Sequence, residues 1–111
     1  MSFVGPDITP LELKQRIDDG DVPTLVDVRE GFEIEIADLP ELGQQHIPVG
    51  QFTQRYGELD PDDEIVVYCR SGARSGQAVQ FLRAQGFSRV FNLEGGILGW
   101  QEQVDPSLPR Y

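Results

Sequence analysis

The side chains best suited to chemistry lie together in one segment of the chain. That segment is Cys69-Arg70-Ser71-Gly72-Ala73-Arg74-Ser75. Cys69 is the only cysteine of the sequence, and a cysteine becomes a strong nucleophile when its surroundings favour the thiolate. Gly72 gives the backbone the freedom to form a tight loop whose amides converge on an anion, and Arg70 and Arg74 add positive potential. The segment therefore predicts a reactive Cys69 thiolate in an anion-binding loop.

A lone cysteine has a second interpretation, as a small apolar residue buried at the end of a strand. The arginines, the glycine and the predicted strand, loop and helix around Cys69 favour the nucleophile. A single cysteine excludes an internal disulfide or a multi-cysteine metal site. We find no second strong ligand at metal spacing, so we expect no metal. A cysteine nucleophile acts through its own covalent chemistry, so we expect no organic cofactor.

The elements that position this loop follow from the apolar pattern. Short, β-branched runs predict buried strands at residues 24–28, 64–68 and 89–93. Helices are predicted from the capping box Thr9-Pro10-Leu11-Glu12 to Gly20, over 30–37 and 51–56, from the Cys69 loop to Gly86, and around Ile97 and Trp100. Strands that alternate with helices predict an α/β fold, with a mainly parallel central sheet and helices on both faces. Ligands bind such sheets where strands end and helices begin, which is the position of Cys69.

Length and charge limit the function. The 111 residues suit one domain spanning residues 1–111. A net charge of −10 argues against nucleic acid and anionic membranes as partners. Residues 1–64 hold sixteen acidic and four basic side chains, whereas residues 65–111 hold three and five, so we expect the C-terminal half to handle any anion. No apolar run reaches bilayer length and no signal peptide pattern is present, so we place the chain in the reducing cytoplasm.

Three further residues have candidate roles. Asp27 and Arg29 lie at the end of the first predicted strand, where buried charges must be paired, so we interpret them as supporting residues that hold the site. His46 is the only histidine, and we interpret it as a surface or rim residue in preference to a catalytic base.

Three ordered signatures resemble those of the rhodanese-like sulfurtransferase family. They are Leu25-Val26-Asp27-Val28-Arg29-Glu30, the loop Cys69 to Arg74, and Asn92-Leu93-Glu94-Gly95-Gly96 with Trp100. Counting from Asp27 places the family's Gly-His-Ile-Pro-Gly-Ala signature at residues 37–42, so the match at His46-Ile47-Pro48 is an accidental one. Residues 65–74, 95–100 and 104–111 are most similar to the C-terminal rhodanese domain of the molybdopterin-synthase adenylyltransferase/sulfurtransferase proteins.

The resemblance implies a rhodanese-like fold and a covalent mechanism. Cys69 would take sulfane sulfur from a donor such as thiosulfate or a cysteine desulfurase and hold it as a persulfide. Arg70 to Arg74 would form the active-site loop, and Gly95, Gly96 and Trp100 would serve packing and turns. The implied acceptor is a ubiquitin-fold sulfur-carrier protein of molybdopterin, thiamine or tRNA-thiolation type.

Two other functions stay open at this point. One is a rhodanese-fold phosphatase or arsenate reductase. Four residues separate Cys69 from Arg74, one fewer than in the phosphatase loop. The shorter loop encloses a smaller anion site than a tetrahedral phosphate needs. The other is a non-catalytic module that docks a partner, which predicts an unreactive cysteine.

Overall fold

The computed structural model describes residues 7–109; residues 1–6 and 110–111 of the predicted domain lie outside the described residues. The strands are β1 (Asp7–Ile8), β2 (Thr24–Asp27), β3 (Gln45–His46), β4 (Ile65–Tyr68) and β5 (Val90–Leu93). The α-helices are α1 (Pro10–Asp18), α2 (Gly31–Ile36), α3 (Phe52–Arg55), α4 (Ala73–Ala84) and α5 (Gly96–Gln103). Two 3₁₀ turns, Val49–Gln51 and Tyr56–Glu58, flank α3.

The five strands form one parallel sheet in the order β1-β5-β4-β2-β3. β4 lies in the middle, where all four of its residues are buried. The predicted parallel α/β fold is confirmed, and so are the three predicted strands, as β2, β4 and β5. The edge strands β1 and β3 are additions to the prediction, because two residues are too few to show a strand pattern.

Helices cover both faces of the sheet, as the strand pattern predicts. Alternate residues of each strand point to opposite faces, so Val66 joins the apolar cluster beneath α1 and α5, whereas Val67 joins the cluster beneath α3 and α4. A strand buried on both faces has no polar alternation, and this explains the continuous apolar sequence of β4. None of the helices among residues 7–109 has the length and apolar character to span a bilayer.

Local sequence signals fix the ends of the helices next to the sheet. The Thr9 hydroxyl accepts a hydrogen bond from the Glu12 amide at 3.1 Å, and the Glu12 carboxylate accepts one from the Thr9 amide at 2.8 Å, which completes the predicted capping box. α4 begins directly after Gly72, whose φ of +104° favours glycine. These helices start at the carboxyl edge of the sheet, and the segments that follow β2, β4 and β5 meet there.

Candidate functional site

Cys69 follows β4 directly and lies at the carboxyl edge of the sheet, with only 1% of its surface exposed. Its Sγ accepts hydrogen bonds from the Gly72 amide at 3.1 Å, the Ser75 amide at 3.5 Å and the Ser75 hydroxyl at 3.3 Å. All three donors belong to the turn into α4 or to the first turn of the helix. The predicted convergence of amides at residues 69–75 is therefore present, and it surrounds the sulfur itself.

This environment favours the thiolate. Burial alone raises the pKa of Cys69, but hydrogen bonds from the Ser75 hydroxyl and from the amides of Ser75, Gly72 and Ser71 outweigh burial, so the pKa lies below that of an ordinary cysteine. The shift has the direction that the sequence predicts. A lower pKa increases the share of the thiolate, the nucleophilic form, at a given pH.

Asn92 of β5 holds the two donor residues in position. Its Nδ2 donates to the Gly72 carbonyl at 3.1 Å, and its Oδ1 lies 2.6 Å from the Ser75 hydroxyl. That hydroxyl has one proton and two acceptors, Asn92 Oδ1 and the Cys69 sulfur. The negative charge of a thiolate strengthens the second contact, so Ser75 can follow the charge on the sulfur without moving its backbone.

The start of α5 fixes the loop from the other side. The Ile97 amide donates to the Cys69 carbonyl, and the Leu98 amide donates to the Arg70 carbonyl, both at 3.0 Å. Gly96 has a φ of +57°, and a Cβ on it would lie 2.4 Å from the Cys69 carbonyl oxygen and 2.6 Å from that of Arg70. Only glycine fits this contact. Gly96 is thus a turn residue, as predicted, and it also allows α5 to bind the backbone of the Cys69 loop.

Arg74 connects the loop to α2. Its guanidinium donates two hydrogen bonds of 2.8 Å to the two oxygens of Glu33. Because of these bonds, which outweigh the burial of the carboxyl, the pKa of Glu33 falls to about 2. The sequence points to Arg74 but not to Glu33, because the two partners stand 41 positions apart. The only local signal for Glu33 is the capping-box spacing from Glu30 to Glu33, in which the Glu33 carboxylate accepts a hydrogen bond from the Glu30 amide at 2.9 Å.

The other loop residues differ in exposure. Arg70, Ser71 and Ala73 are exposed, and Gly72 is half-buried. Arg70 is therefore placed on the outer side of the loop, next to the nucleophile, whereas Arg74 is two-thirds buried beside α2. The described geometry thus assigns the two arginines different surroundings.

Asp27 and Arg29 form the predicted supporting pair. Both are buried, and Arg29 Nη2 lies 2.8 Å from Asp27 Oδ2 and 3.1 Å from Asp38 Oδ1. Arg29 also donates to the Ala37 carbonyl at 2.7 Å, and the Tyr68 hydroxyl donates to Asp38 at 2.8 Å. The network joins the ends of β2 and β4 to the segment after α2, so it holds α2 against the sheet.

His46 lies in the edge strand β3 and is half-buried. One of its ring nitrogens lies 2.6 Å from the Arg29 carbonyl oxygen, to which it donates. This contact ties the edge of the sheet to the segment after β2. Its geometry fits a structural role better than that of a catalytic base.

Comparison with known proteins identifies the family. The model of the rhodanese-like domain matches residues 9–103. The chain belongs to the rhodanese-like domain family. It is 43% identical over 88 residues to a sulfurtransferase of Allochromatium vinosum, covering 79% of this chain and 80% of that protein. A rhodanese-related protein of Thermoplasma volcanium superposes with a TM-score of 0.79 at 30% identity, covering 90% of this chain and 94% of the other.

Several relatives of this rhodanese-like domain are longer proteins. It is 33% identical over 111 residues to the adenylyltransferase and sulfurtransferase MOCS3-2 of Zea mays, covering 94% of this chain but 23% of that protein. It spans 37% and 53% of two further relatives, from Arabidopsis thaliana and Bacillus subtilis. The predicted rhodanese-like fold and the resemblance to adenylyltransferase/sulfurtransferases are confirmed. The relatives support a rhodanese-type sulfurtransferase role.

We predict that the buried Arg29 contributes far more to stability than an exposed arginine. Arg29→Met leaves Asp27 buried without its partner, and the expected loss in the free energy of unfolding is about 3 to 5 kcal/mol. The control is Arg16→Met, which removes the partly exposed Arg16–Glu64 ion pair and should cost at most about 1 kcal/mol. Urea unfolding of both variants at pH 7 measures the difference. Equal losses would contradict the supporting role of Arg29.

The Glu33–Arg74 pair should make stability depend on pH. Because the folded pKa of Glu33 is about 2 against an ordinary value of 4.5, its contribution is complete above pH 4.5 and is lost as the pH falls towards 2. Glu33→Gln should therefore cost on the order of 2 kcal/mol at pH 7, allowing for the partial exposure of Arg74, and almost nothing near pH 2. Urea unfolding across this pH range measures the difference between the two proteins.

Glu58→Gln is the matched control for this experiment, because Glu58 pairs with Arg55 at an exposed position. It should change the pH profile little. A Glu33→Gln cost that stays the same at every pH would mean that the ion pair is not the source of the effect.

The Ser75 hydroxyl should lower the pKa of Cys69, so Ser75→Ala should raise it. At a pH between the two pKa values, the variant holds less thiolate and reacts more slowly with iodoacetamide. The rate of alkylation as a function of pH gives both pKa values. The control is Ser71→Ala, which removes an exposed hydroxyl and keeps the backbone amide that donates to the sulfur. An equal shift in both variants would argue against a specific role for the Ser75 hydroxyl.

Proposed function

We propose that this rhodanese-like domain is a sulfurtransferase that carries sulfane sulfur as a persulfide on Cys69. The observation that carries the proposal is the convergence of the Gly72 amide, the Ser75 amide and the Ser75 hydroxyl on one buried sulfur. These donors stabilise negative charge without a metal or an organic cofactor. The same donors can stabilise the thiolate before the reaction and the persulfide anion after it.

The reaction is a double displacement. The Cys69 thiolate attacks the outer sulfur of thiosulfate, a new S–S bond forms, and sulfite leaves with the electron pair of the broken bond. A nucleophilic acceptor then attacks the terminal sulfur of the persulfide, the bond to Sγ breaks, and its electron pair restores the thiolate. Donor and acceptor occupy one site in turn, so the kinetics are ping-pong.

Loop residues divide between chemistry and support. Cys69 would be the catalytic residue, and Arg70, the exposed residue that follows it, would meet an anionic donor or the C-terminus of an acceptor. Arg74 is a positioning residue, because its ion pair with Glu33 fixes the loop against α2. Asp27 and Arg29 would support that arrangement through the buried network that joins β2 to the segment after α2.

The natural donor is thiosulfate or a cysteine desulfurase, and the acceptor is a ubiquitin-fold sulfur-carrier protein of molybdopterin, thiamine or thiolated-tRNA synthesis. Similarity to the maize adenylyltransferase and sulfurtransferase supports an acceptor of this type. The free thiol of Cys69 suits a reducing compartment such as the cytoplasm.

We expect one sulfur atom to be added to the wild type after incubation with thiosulfate, and none to Cys69→Ala. Intact-mass spectrometry detects the gain. Cyanide should then remove the added sulfur and release thiocyanate, because it attacks the terminal sulfur of the persulfide. Ser88→Ala, which removes an exposed hydroxyl outside the Cys69 loop, should load like the wild type.

Each other outcome points to a different function. Wild-type protein that gains sulfur from a cysteine desulfurase but not from thiosulfate keeps the persulfide mechanism and changes the donor. Protein that gains sulfur from neither, and hydrolyses a phosphate ester or reduces arsenate, is a phosphatase or arsenate reductase. Protein that does none of these, with a Cys69 that resists alkylation, is a docking module.

A further inference from the structure

Helix α2 carries an apolar stripe that nothing in the described part of the chain covers. Phe32 is 66% exposed and Ile36 is 38% exposed. The two stand four positions apart, so they lie one above the other on the same side of the helix. We call this pair the α2 stripe. Contiguous exposed apolar surface marks interaction sites, whereas single exposed apolar residues are ordinary.

The α2 stripe lies next to the loop that carries Cys69. The residue after Phe32 is Glu33, which is buried and holds Arg74 through two hydrogen bonds of 2.8 Å. Arg74 in turn stands next to Ser75, a donor to the Cys69 sulfur. Helix α2 therefore binds the Cys69 loop through Glu33 on one side and exposes the apolar stripe on the adjacent side. A molecule bound to the stripe would lie close to the Cys69 loop.

The exposed charged side chains of α2 and of the residue before it are negative. Helical spacing places Glu35 on the side of the stripe opposite to Glu33, and both Glu35 and Glu30, just before the helix, are exposed. The N-terminal half of the chain, which includes α2, holds most of the acidic residues. Charge complementarity therefore favours a partner whose apolar contact is surrounded by lysine or arginine.

A second copy of this chain fits the stripe poorly. In a symmetric dimer the same surface meets itself, so Glu30 and Glu35 of one copy would face those of the other. Like charges brought together in this way oppose association. A small anion such as thiosulfate also gains nothing from an apolar and acidic surface. The occupant that fits is a different protein.

We propose that the α2 stripe is the docking surface for a protein that exchanges sulfur with Cys69, through an apolar side chain flanked by basic residues. The proposal rests on the sulfurtransferase function and names the kind of partner. Docking at Phe32 and Ile36 would bring the partner's sulfur to the mouth of the loop, and Glu35 would select for basic charge. Sulfur transfer to a small acceptor would not use this surface.

Two acceptor peptides of equal length test the proposal. Each holds one cysteine and one leucine, with lysines in the first peptide and glutamates in the second. The protein is first loaded with sulfur from thiosulfate and then separated from the remaining thiosulfate. The peptide thiolate then attacks the terminal sulfur of the persulfide; the new S–S bond forms on the peptide, the bond to Cys69 Sγ breaks, and the thiolate of Cys69 returns. Mass spectrometry follows the sulfur on peptide and protein.

We expect Phe32→Ser combined with Ile36→Ser to lower kcat/KM for the lysine peptide about tenfold, a loss of about 1.4 kcal/mol in transition-state stabilisation. Transfer from the persulfide to cyanide should stay at the wild-type rate. Comparing variant with wild type on the same peptide removes any difference in thiol reactivity between peptides. Glu35→Lys should weaken the preference for the lysine peptide over the glutamate peptide.

Val22→Ser is the matched control. Val22 is 39% exposed, close to the 38% of Ile36. It precedes β2, so it lies at the amino ends of the parallel strands, whereas Cys69 lies at their carboxyl ends. This variant should transfer sulfur to the peptides and to cyanide like the wild type.

Three outcomes would overturn the docking surface. Unchanged peptide transfer in the stripe variant would show that the stripe is not used. An equal loss with peptide and cyanide would show that Phe32 and Ile36 only support the loop. Sedimentation showing a wild-type dimer that the stripe variant breaks into monomers would assign the stripe to a second copy. Failure of the wild type to gain any sulfur is a different result, because it contradicts the sulfurtransferase function itself.

Discussion

The buried sulfur of Cys69 sets the main constraint on this structure. A negative charge that is almost fully removed from water must be compensated by fixed dipoles, and here the Gly72 and Ser75 donors supply them. Those donors lie in the right place only if the turn into α4 keeps its shape. Asn92 therefore holds the turn from β5, and Gly96 lets α5 bind its carbonyl side. The central strand β4, the Cys69 loop and the helices α4 and α5 therefore all help to fix the groups around the Cys69 sulfur.

Arg29 and Arg74 act on the site through ion pairs with carboxylates. Arg29 holds Asp27 and Asp38, and Arg74 holds Glu33. Both groups connect the sheet and the loop to the region of α2, and in each the carboxylates offset the charge of the guanidinium. The sulfur then depends mainly on short-range hydrogen bonds, which act over the distance of one atomic contact. Such a site responds to small shifts of its loop.

How far the sequence predicts this arrangement depends on how local each feature is. The strands β2, β4 and β5 and the loop after β4 follow from consecutive residues, and were predicted. β1 and β3 are two residues long, and only pairing with distant strands defines them. Glu33 and Asn92 act on the loop from 41 and 17 positions away, so no local pattern predicts their contacts with it. The sequence predicts Cys69 as the nucleophile, and the fold shows which residues hold its sulfur in place.

The halves of the chain have different tasks in this fold. The C-terminal half supplies Cys69, the donors to its sulfur and the helix that binds its backbone, whereas the acidic N-terminal half supplies α2 and the buried pair of Asp27 and Arg29. Because Glu33 faces the loop while Phe32 faces solvent, α2 belongs to both the support of the site and its outer surface. A partner that contacts α2 therefore touches the element that fixes Arg74. Docking on α2, as proposed, would act on the geometry of the Cys69 loop through one helical turn.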